Sequence, residues 1–252
     1  MEITVENLLQ GKATRIKNKD FLSTSDYVSP FFEQMSKFTN NFTIQVKEPQ
    51  QTTLTENTED ITYNRVWIQA ILPEEYCIEN HDEVYGLVYG LDVKKPVYKI
   101  YRGMLNRAYT NLCVFDPDWI SVNEIKPSEN FTYSIKMLME KVSNFESTIK
   151  KMKNTVLSSD LESRHTRLGN WIEKCTLEEY QNIGGKVKLS TATVIEAHNN
   201  VYFNSKSSYY VGDNDSTVFN FYNAFTEILR DDKKDIMNKF EKTLLINSLF
   251  NL

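Results

Sequence analysis

The spacing of the apolar residues changes at Pro127, so the chain cannot be all strand or all helix. Upstream, apolar residues recur at every second position. In FTIQVKEP, Phe42, Ile44 and Val46 alternate with polar residues, and Pro49 is expected to end that strand before a polar loop, QQTTLTENTED. ITYNRVWIQAIL (61–72) is β-branched and aromatic, with a continuous apolar end expected of a central, buried strand. EVYGLVYGLDV and VYKIYRGML are separated by Lys94-Lys95-Pro96, the mark of an antiparallel hairpin. Gly86 and Gly90 inside the first of these strands point to a bulge or to close approach of a neighbour.

Downstream, Phe131, Ile135, Leu138, Val142, Phe145, Ile149, Met152 and Val156 alternate steps of four and three. That heptad stripe predicts one long amphipathic helix, with Tyr133, Met137 and Met139 widening its apolar face. The width favours a core stripe over a coiled coil between chains. DLESRHTRLGNWIEKC follows an SSD capping cluster, and STVFNFYNAFTEILR reads as a helix capped by Ser216. Asp231-Asp232 is expected to open a last helix with Ile236, Phe240 and Leu244 on one stripe. Near the start, SDYVSPFFEQMSKF predicts a short helix with Ser29 as N-cap and Pro30 at its first helical position. KVKLSTATVIEAHNNVYF fits strand and helix equally.

The fold class expected is α+β: an antiparallel meander in the first half, with a helical second half packed on it. The 252 residues suit one domain, with a β-rich part (1–127) and a helical part (128–252).

Composition narrows the chemistry. Glycine (8 residues) is too scarce for a phosphate-cradling loop, and neither GxGxxG nor GxxxxGK[ST] occurs. Three cysteines, Cys77, Cys113 and Cys175, are widely spaced, which argues against a disulfide framework and for a reducing cytoplasm. No apolar run reaches the roughly 20 residues of a membrane helix. The acidic start, MEITVENLLQGK, is unlike a secretory signal. No cofactor is expected.

Three groups of side chains are candidates for chemistry. Cys77 and His81, with Asp82 and Glu83, could pair as a thiolate or metal site, but a turn explains them as well. His165 lies among arginines, a poor place for a base. Asp116 and Asp118 in FDPDW could hold Mg²⁺ in a nuclease, although Asp-Pro-Asp is a common turn.

Charge is uneven along the chain. Residues 1–93 hold 7 Lys/Arg against 15 Asp/Glu, residues 94–188 hold 16 against 11, and residues 189–252 hold 6 against 8. The basic middle is aromatic as well, so phosphates could meet cations while unpaired bases stack. The candidate nucleic-acid contacts are Lys99, Arg102, Arg107, Lys150, Lys151, Lys153, Arg164 and Arg167.

ENHDEVYGLVYGLDVKKPVYKIYRGMLNRAYTNLCVF resembles a pattern of the phage/plasmid-like protein family, domain of unknown function 932. The matching positions are His81-Asp82, Arg107 and Tyr109-Thr110-Asn111-Leu112; later, Tyr222-Asn223-Ala224 matches the aromatic-Asn-Ala of a late family helix. Tyr109 stands where the family pattern has Cys, and no Gly follows Asn111. The resemblance implies a phage or mobile-element origin and carries no activity with it.

The expectation is therefore a non-enzymatic phage or mobile-element protein that binds single-stranded DNA, as an accessory of recombination or replication. The alternatives are an interaction module that inhibits a host enzyme or defence system, and a metal-dependent nuclease. A homo-oligomer is compatible with all three.

Overall fold

The computed structural model describes residues 14–16, 19–21, 24–38, 43–53, 61–90, 97–107, 112–113, 119–122, 129–140, 144–178, 180, 187–231 and 236–252. The fold is α+β, with strands in the N-terminal half and helices in the C-terminal half. Expectations at Lys94–Pro96, Tyr109–Asn111, Asp116, Asp118 and Asp232 lie outside the described residues. The chain divides into two compact units, Met1–Leu105 with Pro117–Val142, and Asn106–Asp116 with Ser143–Leu252.

The first unit is organised by its most apolar strand. β1 (Thr14–Ile16) and β2 (Lys19–Phe21) form a separate small hairpin. β3 (Thr43–Thr53), β4 (Ile61–Ile71), β5 (His81–Gly90) and β6 (Val97–Asn106) lie side by side in chain order, and the short β7 (Leu112–Cys113) comes next in the chain. The β3–β4 and β4–β5 pairs are antiparallel, and β8 (Trp119–Val122) runs antiparallel along β6. On β4, Trp67 and Gln69 face one way and Ile68 and Ala70 the other, and all four are buried. A strand covered on both faces needs a continuous apolar run rather than an alternating one.

Pro49 does not end its strand as expected. β3 continues to Thr53, and its register against β4 shifts between Lys47 and Gln50 and again between Gln50 and Gln51. A bulge absorbs the N–H that proline lacks, and β3 ends the strand order, where such a defect is tolerated.

α1 (Thr24–Phe38) likewise begins earlier than expected. Pro30 lies inside it, so the helix forgoes one N–H bond there. Val28, Phe31 and Met35 are buried. α1 packs against β4 and against α2 (Glu129–Glu140), which contributes Ile135 and Leu138 to the core.

The heptad stripe is not one helix. It is shared between α2 and α3 (Phe145–Asn154), which belong to different units. α3 starts afresh at Asn144, whose carbonyl accepts from the Thr148 N–H and the Ser147 hydroxyl. Phe145, Ile149 and Met152 are buried as the stripe predicts. Tyr133 and Met137 do not widen the apolar face, since they are 61% and 46% exposed. Val156 lies beyond the helix in β9 (Val156–Leu157), which pairs with β10 (Ser216–Thr217).

The second unit is built around α6 (Val218–Asp231), with α4 (Leu161–Thr176), α5 (Thr191–Tyr202) and α7 (Ile236–Phe250). α5 resolves the strand–helix ambiguity: Ser190 caps it, accepting from the Thr193 N–H. Trp171 of α4 meets Phe221 and Phe250 edge-on, at ring distances of 4.8 and 5.3 Å. Leu244 to Asn247 are four consecutive buried residues, so α7 is enclosed on every side there. Its polar members are satisfied: Tyr222 donates to Asn247, and Tyr180 donates to the Leu245 carbonyl. Lys174 donates to the Ser248 carbonyl at 2.6 Å, placing a cation at the negative end of α7.

The cap of α6 is Thr217, one residue after the expected Ser216. Thr217 and Asn220 bond each other reciprocally, as in a capping box. Ser216 is instead buried, bonded to the Tyr202 hydroxyl at 2.7 Å.

Asp160 caps α4 as the SSD cluster predicts, accepting from the Ser163 N–H at 2.8 Å. Hydrogen bonds from Ser158 and Ser163 lower its carboxyl from 3.8 to about 2. A depressed carboxylate stabilises the fold above its ordinary value and loses that contribution as pH falls through the native one. A side-chain NMR titration of Asp160 is expected to give a native midpoint near 2. Over the same interval the Ser163 amide loses protection.

Candidate nucleic-acid interface

The eight candidate cations divide by burial, not by sequence. On β6 both faces are covered. Lys99 and Arg102 are 5% and 8% exposed, and neither forms part of a wet basic face. The Arg102 Nε donates to the Glu83 carboxylate at 2.5 Å, and its guanidinium lies 5.6 Å from the centre of the Tyr85 ring. A guanidinium out of water needs such a partner, which is why Arg102 is unsuited to a phosphate.

The other face of β6 explains a glycine. Gly86 on β5 stands opposite Gln69 on β4. The Tyr101 ring crosses over Gly86, and its hydroxyl accepts hydrogen bonds from Trp67 Nε1 and Gln69 Nε2, at 2.5 and 2.8 Å. A Cβ at position 86 would fall inside that ring. Burial pushes the Tyr101 hydroxyl well above its ordinary range, so it stays neutral.

In the second unit, Arg164 and Arg167 are also structural. Arg164 is 5% exposed, lies 4.0 Å over the Tyr202 ring and donates to the Gly212 carbonyl at 3.0 Å. Arg167 is half-buried and donates to the Ser158 carbonyl and the Tyr202 hydroxyl, each at 2.9 Å. The two arginines grip Tyr202, and through it Ser216 and the β9–β10 pair. Their charge acts on the buried His198. Burial first, then Arg167, Arg164 and His165, lower the His198 imidazole from 6.5 to about 4, so it is neutral at pH 7.

Four candidates remain at the surface. Arg107 is exposed in the turn after β6. Lys150, Lys151 and Lys153 are exposed within four residues of α3. The Lys153 ammonium lies 5.1 Å from the centre of the Phe219 ring, at the start of α6. Val156, next along, is 61% exposed. The second unit thus carries a short basic strip with an aromatic beside it. Sequence reading found the lysines and missed Phe219, whose only signal was its place one turn ahead of the buried Tyr222.

The histidine and thiol candidates do not assemble. His81 is buried on β5, and the Cys77 thiol donates to the Glu79 carbonyl at 3.1 Å. Among the described residues, no group of three or more His, Cys, Asp or Glu could hold a metal ion. No described helix is long and apolar enough to cross a membrane. No family model, curated protein or solved structure matches the chain.

Proposed function

We propose that this chain is a non-enzymatic phage or mobile-element protein that binds single-stranded nucleic acid through α3. The observation that carries the reading is the clustering of Lys150, Lys151 and Lys153 on one exposed helical turn beside Phe219. Exposed lysines neutralise phosphates, and an aromatic ring beside Lys153 suits an unpaired base. The pattern in residues 79–115 and at Tyr222-Asn223-Ala224 favours a mobile-element origin. The site is narrower than the sequence suggested: Lys99, Arg102, Arg164 and Arg167 hold the fold.

Reversing all three lysines to glutamate is expected to weaken binding of a single strand by about a hundredfold or more. The far-UV circular dichroism should not change, because none of the three is buried. Reversal without loss of affinity sinks the assignment.

A second reading rests on a different feature of the same unit. The loop after α5 exposes Phe203 (64%) and Tyr210 (44%), yet its backbone is tied down. The Val211 N–H bonds the Val201 carbonyl, Arg164 bonds Gly212, and Asp215 accepts from the Ser159 N–H. Rigid exposed aromatics suit a protein interface, as an inhibitor of a host enzyme or defence system would need. A partner that survives nuclease treatment, and is lost in Phe203→Ser/Tyr210→Ser, would favour this reading.

A further inference from the structure

The second unit holds a cavity that neither reading uses. It lies between α5, the start of the following loop and α6, with a volume of about 430 Å³. That volume is within the range of small-molecule sites. Glu196 enters it from α5 and Glu227 from α6. Asn200 follows Glu196 by four residues on α5, and Asn204, in the loop beyond the helix, donates to the Asn200 carboxamide oxygen at 2.9 Å. Ser207 and Lys206 close the loop side, and Ile228 supplies an aliphatic patch.

Three features set the charge of a fitting ligand. Two carboxylates and one ammonium line the cavity. Neither carboxylate is ion-paired with a described residue, and Glu227 has only a long contact, 3.4 Å from the Ser207 hydroxyl. α5 ends at Tyr202, between the lining residues Asn200 and Asn204, so its negative end adds to the same field. The Asn200 Oδ1 accepts from Asn204 Nδ2 at 2.9 Å and the Asn204 Oδ1 from the Lys206 N–H at 3.2 Å, so each carbonyl oxygen has one further lone pair for an N–H donor. A bare metal ion is a poorer match for a space this large with only two carboxylates.

We propose that this cavity binds a small organic cation with at least two ammonium groups, of the polyamine class. One ammonium is held by each carboxylate, the carboxamides take the remaining N–H donors, and the methylene spacer lies against Ile228. The site is independent of the lysines on α3.

Isothermal titration of the full chain with spermidine tests this. The expected result is saturable binding with one ligand per chain. Glu196→Gln/Glu227→Gln keeps the shape, removes both charges and is expected to weaken it at least about tenfold. Reversal of Lys150, Lys151 and Lys153 is expected to leave it unchanged. If the double variant fails to fold, Ser207→Trp, which fills the cavity from the loop, should give the same loss. Absence of saturable heat overturns the proposal. So does a stoichiometry well above one, which marks diffuse association with an acidic protein, or equal affinity in both variants.

Discussion

Replacing Arg102 with methionine is expected to destabilise the first unit by about 3–5 kcal/mol. The loss comes mainly from the partner left behind. Glu83 is 5% exposed, and without the guanidinium its carboxylate is buried with its main counter-charge gone. The stacking of Arg102 on Tyr85 is lost as well, a smaller effect. Arg102→Met/Glu83→Leu should recover most of the stability, because an apolar pair of similar volume tolerates burial better than a single charge. Chemical denaturation of the wild type, both single variants and the double gives the coupling directly. Near-additive losses would mean that the ion pair does not hold β5 to β6.

Gly86→Ala is expected to cost about 3 kcal/mol, at the upper end for an added methyl group. The reason is geometric and local to three strands. Tyr101 reaches over position 86 to meet Trp67 and Gln69, so its ring is pinned at the far end. The methyl would occupy the ring's own space. Either the ring leaves, stranding the Trp67 and Gln69 donors, or the strands separate. In a Tyr101→Leu background the same Gly86→Ala change should cost less than about 1 kcal/mol. An equal cost in both backgrounds would place the strain elsewhere.

How much was legible in the sequence follows from these residues. The burial of β4 on both faces was readable, since a continuous apolar run has few other uses. Gly86 was readable as a close approach, but not the identity of Tyr101 as the neighbour. The heptad stripe was a true core signal over Ile135 and Leu138 of α2 and Phe145, Ile149 and Met152 of α3, all of which are buried. Its interruption was invisible, because side-chain period does not record where a backbone stops. Pro49 misled because proline ends a central strand but only bulges an outer one.

The burial of Lys99, Arg102 and Arg164 was not legible. A lysine on a solvated helix and an arginine beneath a tyrosine look alike in sequence. Glu83 is 19 residues from Arg102, and the Gly212 carbonyl is 48 residues from Arg164. Only the fold brings those acceptors to the cations. A basic stretch therefore overstates its own surface charge when aromatics alternate with it, because aromatics draw guanidinium groups inward.

The proposed role of α3 is to contact phosphates. Its most direct test is the salt dependence of binding, followed by anisotropy of a labelled single strand of about 30 nucleotides. Three lysine–phosphate contacts predict that log K falls with log salt at a slope of about −2, at roughly −0.7 per contact. In the Lys150→Glu/Lys151→Glu/Lys153→Glu protein the slope should fall to near zero together with the affinity. Absence of binding at low salt, or an unchanged slope in that variant, would contradict the account and leave the aromatic loop at Phe203 and Tyr210 as the surface to pursue.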